Sequence, residues 1–110
     1  MDSYNLEINQ GASFNLSLTA RDENSNLLNL TSYSGRAKLK NRYSDTGSLV
    51  DFTTSIDVPT SGVLSISLTA AQTAALPITK AIYDVEIYNI SGTVMRLLNG
   101  HAEISPEVTA

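Results

Sequence analysis

Apolar residues return at every second position in run after run of this chain, and that period admits few folds. "YNLEI" sets Tyr4, Leu6 and Ile8 on one side, and "FNLSLTA" does so with Phe14, Leu16, Leu18 and Ala20. "VLSISL" aligns Leu64, Ile66 and Leu68, and "YDVEI" aligns Tyr83, Val85 and Ile87. A strand turns successive side chains to opposite faces, so each run offers one face to a core and one to water. Half-buried antiparallel strands read this way. Turn-forming residues separate the runs: Gln10-Gly11, "RDENSN" at 21–26, "DVPTSG" at 57–62 and "NISGT" at 89–93. Strands are therefore predicted at 4–8, 12–20, 34–42, 48–56, 63–68, 81–89 and 93–104. About seven short strands with frequent turns predict a two-sheet, all-β sandwich.

One segment departs from the period. "TAAQTAALP" at 69–77 is alanine-rich, opens on a candidate cap at Thr69 and stops at Pro77, which predicts one short helical turn near 69–76. The stretch after it, "LPITKAIYDVEI", places Tyr83 where immunoglobulin-type sandwiches carry a corner tyrosine. There the phenol hydroxyl ties the crossing connection to its backbone; the alternative is a core tyrosine without that bond. The expected core is Tyr4, Leu6, Ile8, Phe14, Leu16, Leu18, Leu39, Leu64, Ile66, Leu68, Tyr83, Val85 and Ile87, which share one phase along their strands.

Composition sets the outer limits. A chain of 110 residues is long enough for one hydrophobic core, and 42% hydrophobic against 16% charged residues is a folded composition. One domain over 1–110 is expected, with a short tail or assembly arm at 105–110. The absence of cysteine removes disulfides, thiolate zinc sites and cysteine nucleophiles together. "MDSYNLEINQ" has no basic start followed by an apolar run, so no secretory signal is expected, and no apolar stretch approaches the roughly 20 residues of a membrane span. The Asn-x-Ser/Thr triplets at Asn15, Asn29 and Asn89 are accordingly read as chance matches.

"GRAKLKNRYSD" puts Arg36, Lys38, Lys40 and Arg42 at alternate positions, on the side opposite Ala37 and Leu39. In "IYDVEIY", Asp84 and Glu86 face away from Tyr83, Val85 and Ile87. If these strands are neighbours, Lys38 and Lys40 sit across from Asp84 and Glu86, leaving Arg36 and Arg42 free. The stripe is then the wet face of a strand. A net charge of −4, with only Tyr43 interleaved nearby, argues against a nucleic-acid partner.

No catalytic constellation emerges. His101 is the sole histidine, it follows Asn99-Gly100, and no nucleophile-elbow pattern surrounds any serine that could join it and Asp84. Asp22 and Glu23 are adjacent loop carboxylates without the alternating oxygen ligands of a calcium loop. Neither a phosphate-binding glycine loop nor a dinucleotide fingerprint occurs. No catalytic, metal or cofactor residue is therefore assigned. The one candidate site is an interface. "TVMRLLNGHAEI" has Val94 and Leu98 in one phase and Met95 and Leu97 in the other, so one set is expected outside the core. Ile82 and Tyr88, in the outward phase of the preceding strand, would extend that surface to Ile82, Tyr88, Met95 and Leu97. A register shift at Asn99-Gly100 is the alternative.

With its strands placed, the chain acquires a family likeness. "INQGASFNLSLTARDENSNLLNLTSYSGRAKLK" gives an initial strand, Gln-Gly, an apolar strand, a polar hairpin and an outward-charged strand. "SGVLSISLTAAQTAALP" and "AIYDVEIYNISGTVMRLLNGHAEISPEVT" add a Gly-led strand, a helical turn, the Tyr-x-Val-x-Ile strand and a closing strand. This resembles the small immunoglobulin-like β-sandwich proteins of tailed-phage virions, in particular the N-terminal domain of phage baseplate upper proteins, from about Tyr4 to Val108. The resemblance implies a non-enzymatic virion protein, associated with tail or baseplate or acting as an adaptor. It would work by contact with other virion proteins or with its own copies, without cofactor, nucleic acid or membrane, and be assembled in the bacterial cytoplasm. Baseplate upper proteins carry further segments after this domain, whereas this sequence ends at 110, which brings a stand-alone adaptor or a capsid decoration protein into view. Two other classes stand beside it. A host-surface or carbohydrate-binding module would have only Tyr33 and Tyr43 near turns for stacking on sugars. A hydrolase is retained because fold never excludes function.

Overall fold

The alternating runs do form strands, and nearly all of them join one curled sheet. The computed structural model describes residues 2–22, 24–42, 47, 49–77 and 80–106. Its elements are β1 (Asp2–Ser3), β2 (Leu6–Asn9), β3 (Phe14–Thr19), β4 (Tyr33–Lys40), β5 (Val50–Val58), β6 (Val63–Leu68), α1 (Ala70–Ala74), β7 (Lys80–Asn89) and β8 (Val94–Ser105). A 3₁₀ turn over Pro59–Ser61 joins β5 to β6. The order across the sheet is β1-β8-β7-β4-β5-β6-β3, with β2 also on β8, and the whole is nearly closed into a barrel. All-β architecture is thus shown. β1 and β2 run parallel to β8; the other pairings are antiparallel.

The two expected sheets merge because β5 serves both. Its first residues pair with β4 (Ala37 with Phe52, Leu39 with Val50), and the rest, from Thr53, pairs with β6. The register would next set Thr54 opposite Gly35. There the strands part, and the Thr54 hydroxyl donates to the Gly35 carbonyl at 2.8 Å in place of a backbone bond. A β-carbon on Gly35 would stand 3.2 Å from that of Thr54, so glycine lets β5 cross closely as it leaves β4.

The core lies within the curl. Leu6, Ile8, Leu39, Leu64, Ile66, Leu68, Tyr83, Val85 and Ile87 are buried as expected. Phe14, Leu16 and Leu18 are only partly buried, because among the described strands β3 pairs with β6 alone. Leu30, Phe52, Leu76, Leu98 and Ile104 complete the interior. The helix closes one end: the side chains of Thr69 and Gln72 cap it reciprocally. From the helix, the fully buried Thr73 hydroxyl reaches the Ala12 carbonyl at 2.9 Å, and the amide of Gln10 donates to Leu76 O at 2.6 Å. These bonds bridge the gap between β2 and β3.

Tyr4 corrects the expected core: its side chain is 53% exposed. β1 and β2 hold one parallel register on β8 (Asp2 with Leu98, Leu6 with Ala102), but pairing lapses at Tyr4 and Asn5. The Tyr83 hydroxyl donates to the Tyr4 carbonyl there, and the Asn5 side chain accepts the His101 N–H at 3.2 Å. Gly100, across from Tyr83 on β8 and with φ +157°, makes this possible, since a β-carbon would lie 2.3 Å from the Tyr4 oxygen. The inward position carries Tyr4's carbonyl instead of its ring. The Tyr83 hydroxyl therefore does bond to backbone, but to that of the N-terminal strand and not of the crossing connection, so it is not the expected corner.

The first residue of the expected tail at 105–110 belongs to β8. Ser105 ends β8 and pairs with Asn9, and residues 107–110 lie outside the described residues.

Candidate functional site: the outer face of β4, β7 and β8

Outward side chains of β4, β7 and β8 form one surface, and the register explains its charge pattern. β4 and β7 are neighbours, with Arg36 opposite Glu86, Lys38 opposite Asp84 and Lys40 opposite Ile82. The pairing of basic against acidic strand is thus as expected, but the individual partners differ. Arg36, expected to be free, is held: its Nε donates to Glu86 Oε1 at 2.8 Å and its guanidinium lies 4.7 Å over the Tyr88 ring. Lys38 Nζ turns the other way, to Asp51 of β5 at 3.7 Å. Arg42 lies past the end of β4 and is not free either.

A fifth cation arrives from β8. Between Val85 and Glu86 the register with β8 shifts: Val85 pairs with Leu98 and Glu86 with Arg96, so Leu97 is an extra residue with no partner. This bulge reverses the strand's phase, two residues before Asn99-Gly100. Arg96 consequently faces outward, 3.5 Å from Asp84 Oδ2 and 4.0 Å from Glu86 Oε2.

The bulge also disperses the expected interface. Met95 lies opposite the buried Ile87, and both Met95 and Leu97 pack partly buried against the core. Leu98 is buried, while Val94 is exposed. Met95, Leu97 and Leu98 therefore make one inward set, split by the extra residue, while Val94 faces out, and Ile82, Tyr88, Met95 and Leu97 do not meet on one surface. Ile82 and Tyr88 do face outward, at opposite ends of β7. The β7–β8 hairpin presents a different apolar end. Ile90 at its tip is fully exposed, Val94 is 49% exposed, and Val94 sits directly across from Tyr88. Sequence reasoning passed over Ile90 because it falls inside a turn motif; its apolar character within "NISGT" was the available signal.

At the other end of the face is an open concavity of about 290 Å³, lined by Lys38, Lys40, Ile82, Asp84, Glu86, Arg96 and Asn99, with part of Tyr83 at its floor. Partial burial pushes the Asp84 carboxyl above the usual carboxylate range, and neighbouring Glu86 adds to the effect; Arg96, Lys40 and Arg36 oppose it. The site can hold a polar group through charge and hydrogen bonding. Among the described residues no group of three or more His, Cys, Asp and Glu side chains is placed to hold a metal ion.

The remaining candidates are local. His101 is exposed on β8, across from Ile82. Asp22 accepts the N–H groups of Asn24 and Asn26, both at 2.9 Å, which makes it a turn-forming residue; Glu23 lies outside the described residues. Tyr33 is half-buried and Tyr43 lies outside the described residues. No protein-family model matches the chain, and no curated protein matches it.

Proposed function

We propose that this protein is a non-enzymatic structural component of a tailed-phage virion that joins its neighbours by protein–protein contact. The observation that carries contact as the mode of action is the hairpin end, where a fully exposed Ile90 stands beside Val94 and Tyr88. A large side chain held out on a short, fixed turn is costly to keep in water and suited to a pocket on a partner. The turn is well braced for this: Asn89 accepts the Gly92 N–H, donates its own to Thr93 O, and its side chain takes the Thr93 N–H at 3.0 Å.

The strand order supports an immunoglobulin-like reading of the fold. Taking β3, β4, β6, β7 and β8 as strands B, C, E, F and G, the B–E, C–F and F–G pairings of that sandwich all occur. β5 then spans the places of the two strands between C and E. On this reading the protein acts in the particle, at tail or baseplate or as an adaptor, with other virion proteins as partners and no cofactor.

The test is capture of the other particle proteins by purified protein, run with the wild type and with Ile90→Ser/Val94→Ser. Loss of capture at unchanged thermal stability is expected. Equal capture by both, or no capture by the wild type together with binding on a glycan array, would remove the reading.

A further inference from the structure

Among the described residues β3 is the last strand of the sheet, paired with β6 alone, and its backbone direction can be read from one bond. The Ala20 N–H donates to Gly62 O at 2.7 Å, on the β6 side. Backbone groups alternate in direction along a strand. Those of Leu18, Leu16 and Phe14 therefore point to β6, opposite Leu64, Ile66 and Leu68, and those of Thr19, Ser17 and Asn15 point to the open edge. Three consecutive outward N–H and C=O pairs are a template for another strand.

The side chains mark the same opening. On β6, Leu64, Ile66 and Leu68 are at most 3% exposed; directly opposite on β3, Leu18, Leu16 and Phe14 are only partly buried. Edges are ordinarily blunted by charge, proline or a bulge. β3, "FNLSLT", has none of these, and its outward side chains Asn15, Ser17 and Thr19 are exposed and uncharged. The edge formed by β1 and β2 carries the exposed Glu7.

We propose that β3 is a self-association edge, pairing antiparallel with β3 of a second copy about a two-fold axis through Ser17. A two-fold contact sets each residue against itself or its mirror position, so any charge there would meet its like. In a chain of net charge −4, β3 is the edge that avoids this. Centring on Ser17 sets Asn15 opposite Thr19 of the other copy, so all the outward backbone groups bond. The same register sets Leu16 opposite Leu18 of the other copy on the inner face, covering the half-exposed apolar side chains. The contact is small, and interfaces below roughly 1,200 Å² in total are generally weak. The dimer is thus expected at high local concentration, as in an assembly. This inference is independent of the hairpin contact proposed above.

The absence of native cysteine makes the test direct. In Ser17→Cys the two thiols meet on the axis, within the reach of a disulfide. Under mild oxidation it should cross-link several-fold faster than Asn15→Cys or Thr19→Cys alone. An equimolar mixture of those two should form the mixed dimer at the fast rate. Ser17→Lys should abolish concentration-dependent dimerisation in sedimentation equilibrium while leaving the thermal unfolding midpoint unchanged, since Ser17 is exposed and its backbone does not bond to β6. Cross-linking of Ser17→Cys at the rate of the single controls, or a wild type monomeric at every concentration, would overturn the proposal.

Discussion

Replacing Tyr83 by Phe removes one oxygen and tests how the N-terminal strand is fastened. The ring stays, with its edge contact to Phe52 at 6.5 Å, and the loss is confined to the bond from the hydroxyl to the Tyr4 carbonyl. Tyr83 is 4% exposed, so that carbonyl loses a partner at a place water reaches poorly, at a cost of about 1–2 kcal/mol. A pH series gives a second reading of the same hydroxyl. Burial, with a smaller contribution from Tyr4, pushes the Tyr83 phenol from 10.0 up to about 12. A raised value means the folded state favours the protonated phenol. The stability this brings is complete below the ordinary value of 10.0 and is lost as pH rises through about 12. A shift of that size corresponds to at most about 2.7 kcal/mol. Urea unfolding of wild type and Tyr83→Phe across this range should show a gap that narrows as pH climbs. A neutral-pH gap below about 0.5 kcal/mol, or one constant to the alkaline limit, would refute the reasoning.

Three further outcomes follow from the register. Gly100→Ala places a β-carbon 2.3 Å from the Tyr4 oxygen, so it should cost more than about 2 kcal/mol and speed amide exchange at residues 2–5; protection unchanged there would contradict the geometry. Asp84→Asn should leave stability unchanged or higher at neutral pH. Its carboxyl titrates above the usual range, so the charged form is the one the fold disfavours, and a loss above about 1 kcal/mol in thermal unfolding would contradict this. Met95→Ser should destabilise by about 1–2 kcal/mol because Met95 faces the core, whereas Ile90→Ser should stay within about 0.5 kcal/mol; equal effects in chemical denaturation would argue against the bulge at Leu97.

What could be read in the sequence was whatever obeyed period two. β3, β6 and β7 carry clean alternation, and the β4–β7 neighbourhood followed from charges of opposite sign on their outward faces. Thr69 and Pro77 bracketed the helical turn. What escaped was decided by backbone interruptions. The doublet Leu97-Leu98 after Arg96 is the trace of the bulge, but an extra residue and two apolar faces look alike in a linear pattern. Tyr4 has the phase of Leu6 and Ile8 and yet turns out, because a hydroxyl 79 residues away claims its carbonyl. Leu30 and Leu76 lie in connections where no alternation exists to announce their burial. The merger of the two sheets rests on Gly35 and Thr54, and neither residue signals by its type that a strand will change partners.

The parallel pairing of β1 and β2 with β8 has a mechanical consequence. Tension applied to the chain ahead of β1 and beyond β8 pulls those strands in opposite senses along their common direction. The bonds from Leu6–Asn9 to Ala102–Ser105, with those of Asp2 and Ser3, then carry load in shear, all together, instead of opening one after another as in a peeled hairpin. Tyr83, hydrogen-bonded to Tyr4 between the two short strands, adds a side-chain rivet to the same seam. Resistance to force is governed by the unfolding rate rather than by equilibrium stability. A domain fastened in this way can hold under a pull that a chain of equal stability, joined by an antiparallel edge, would not withstand.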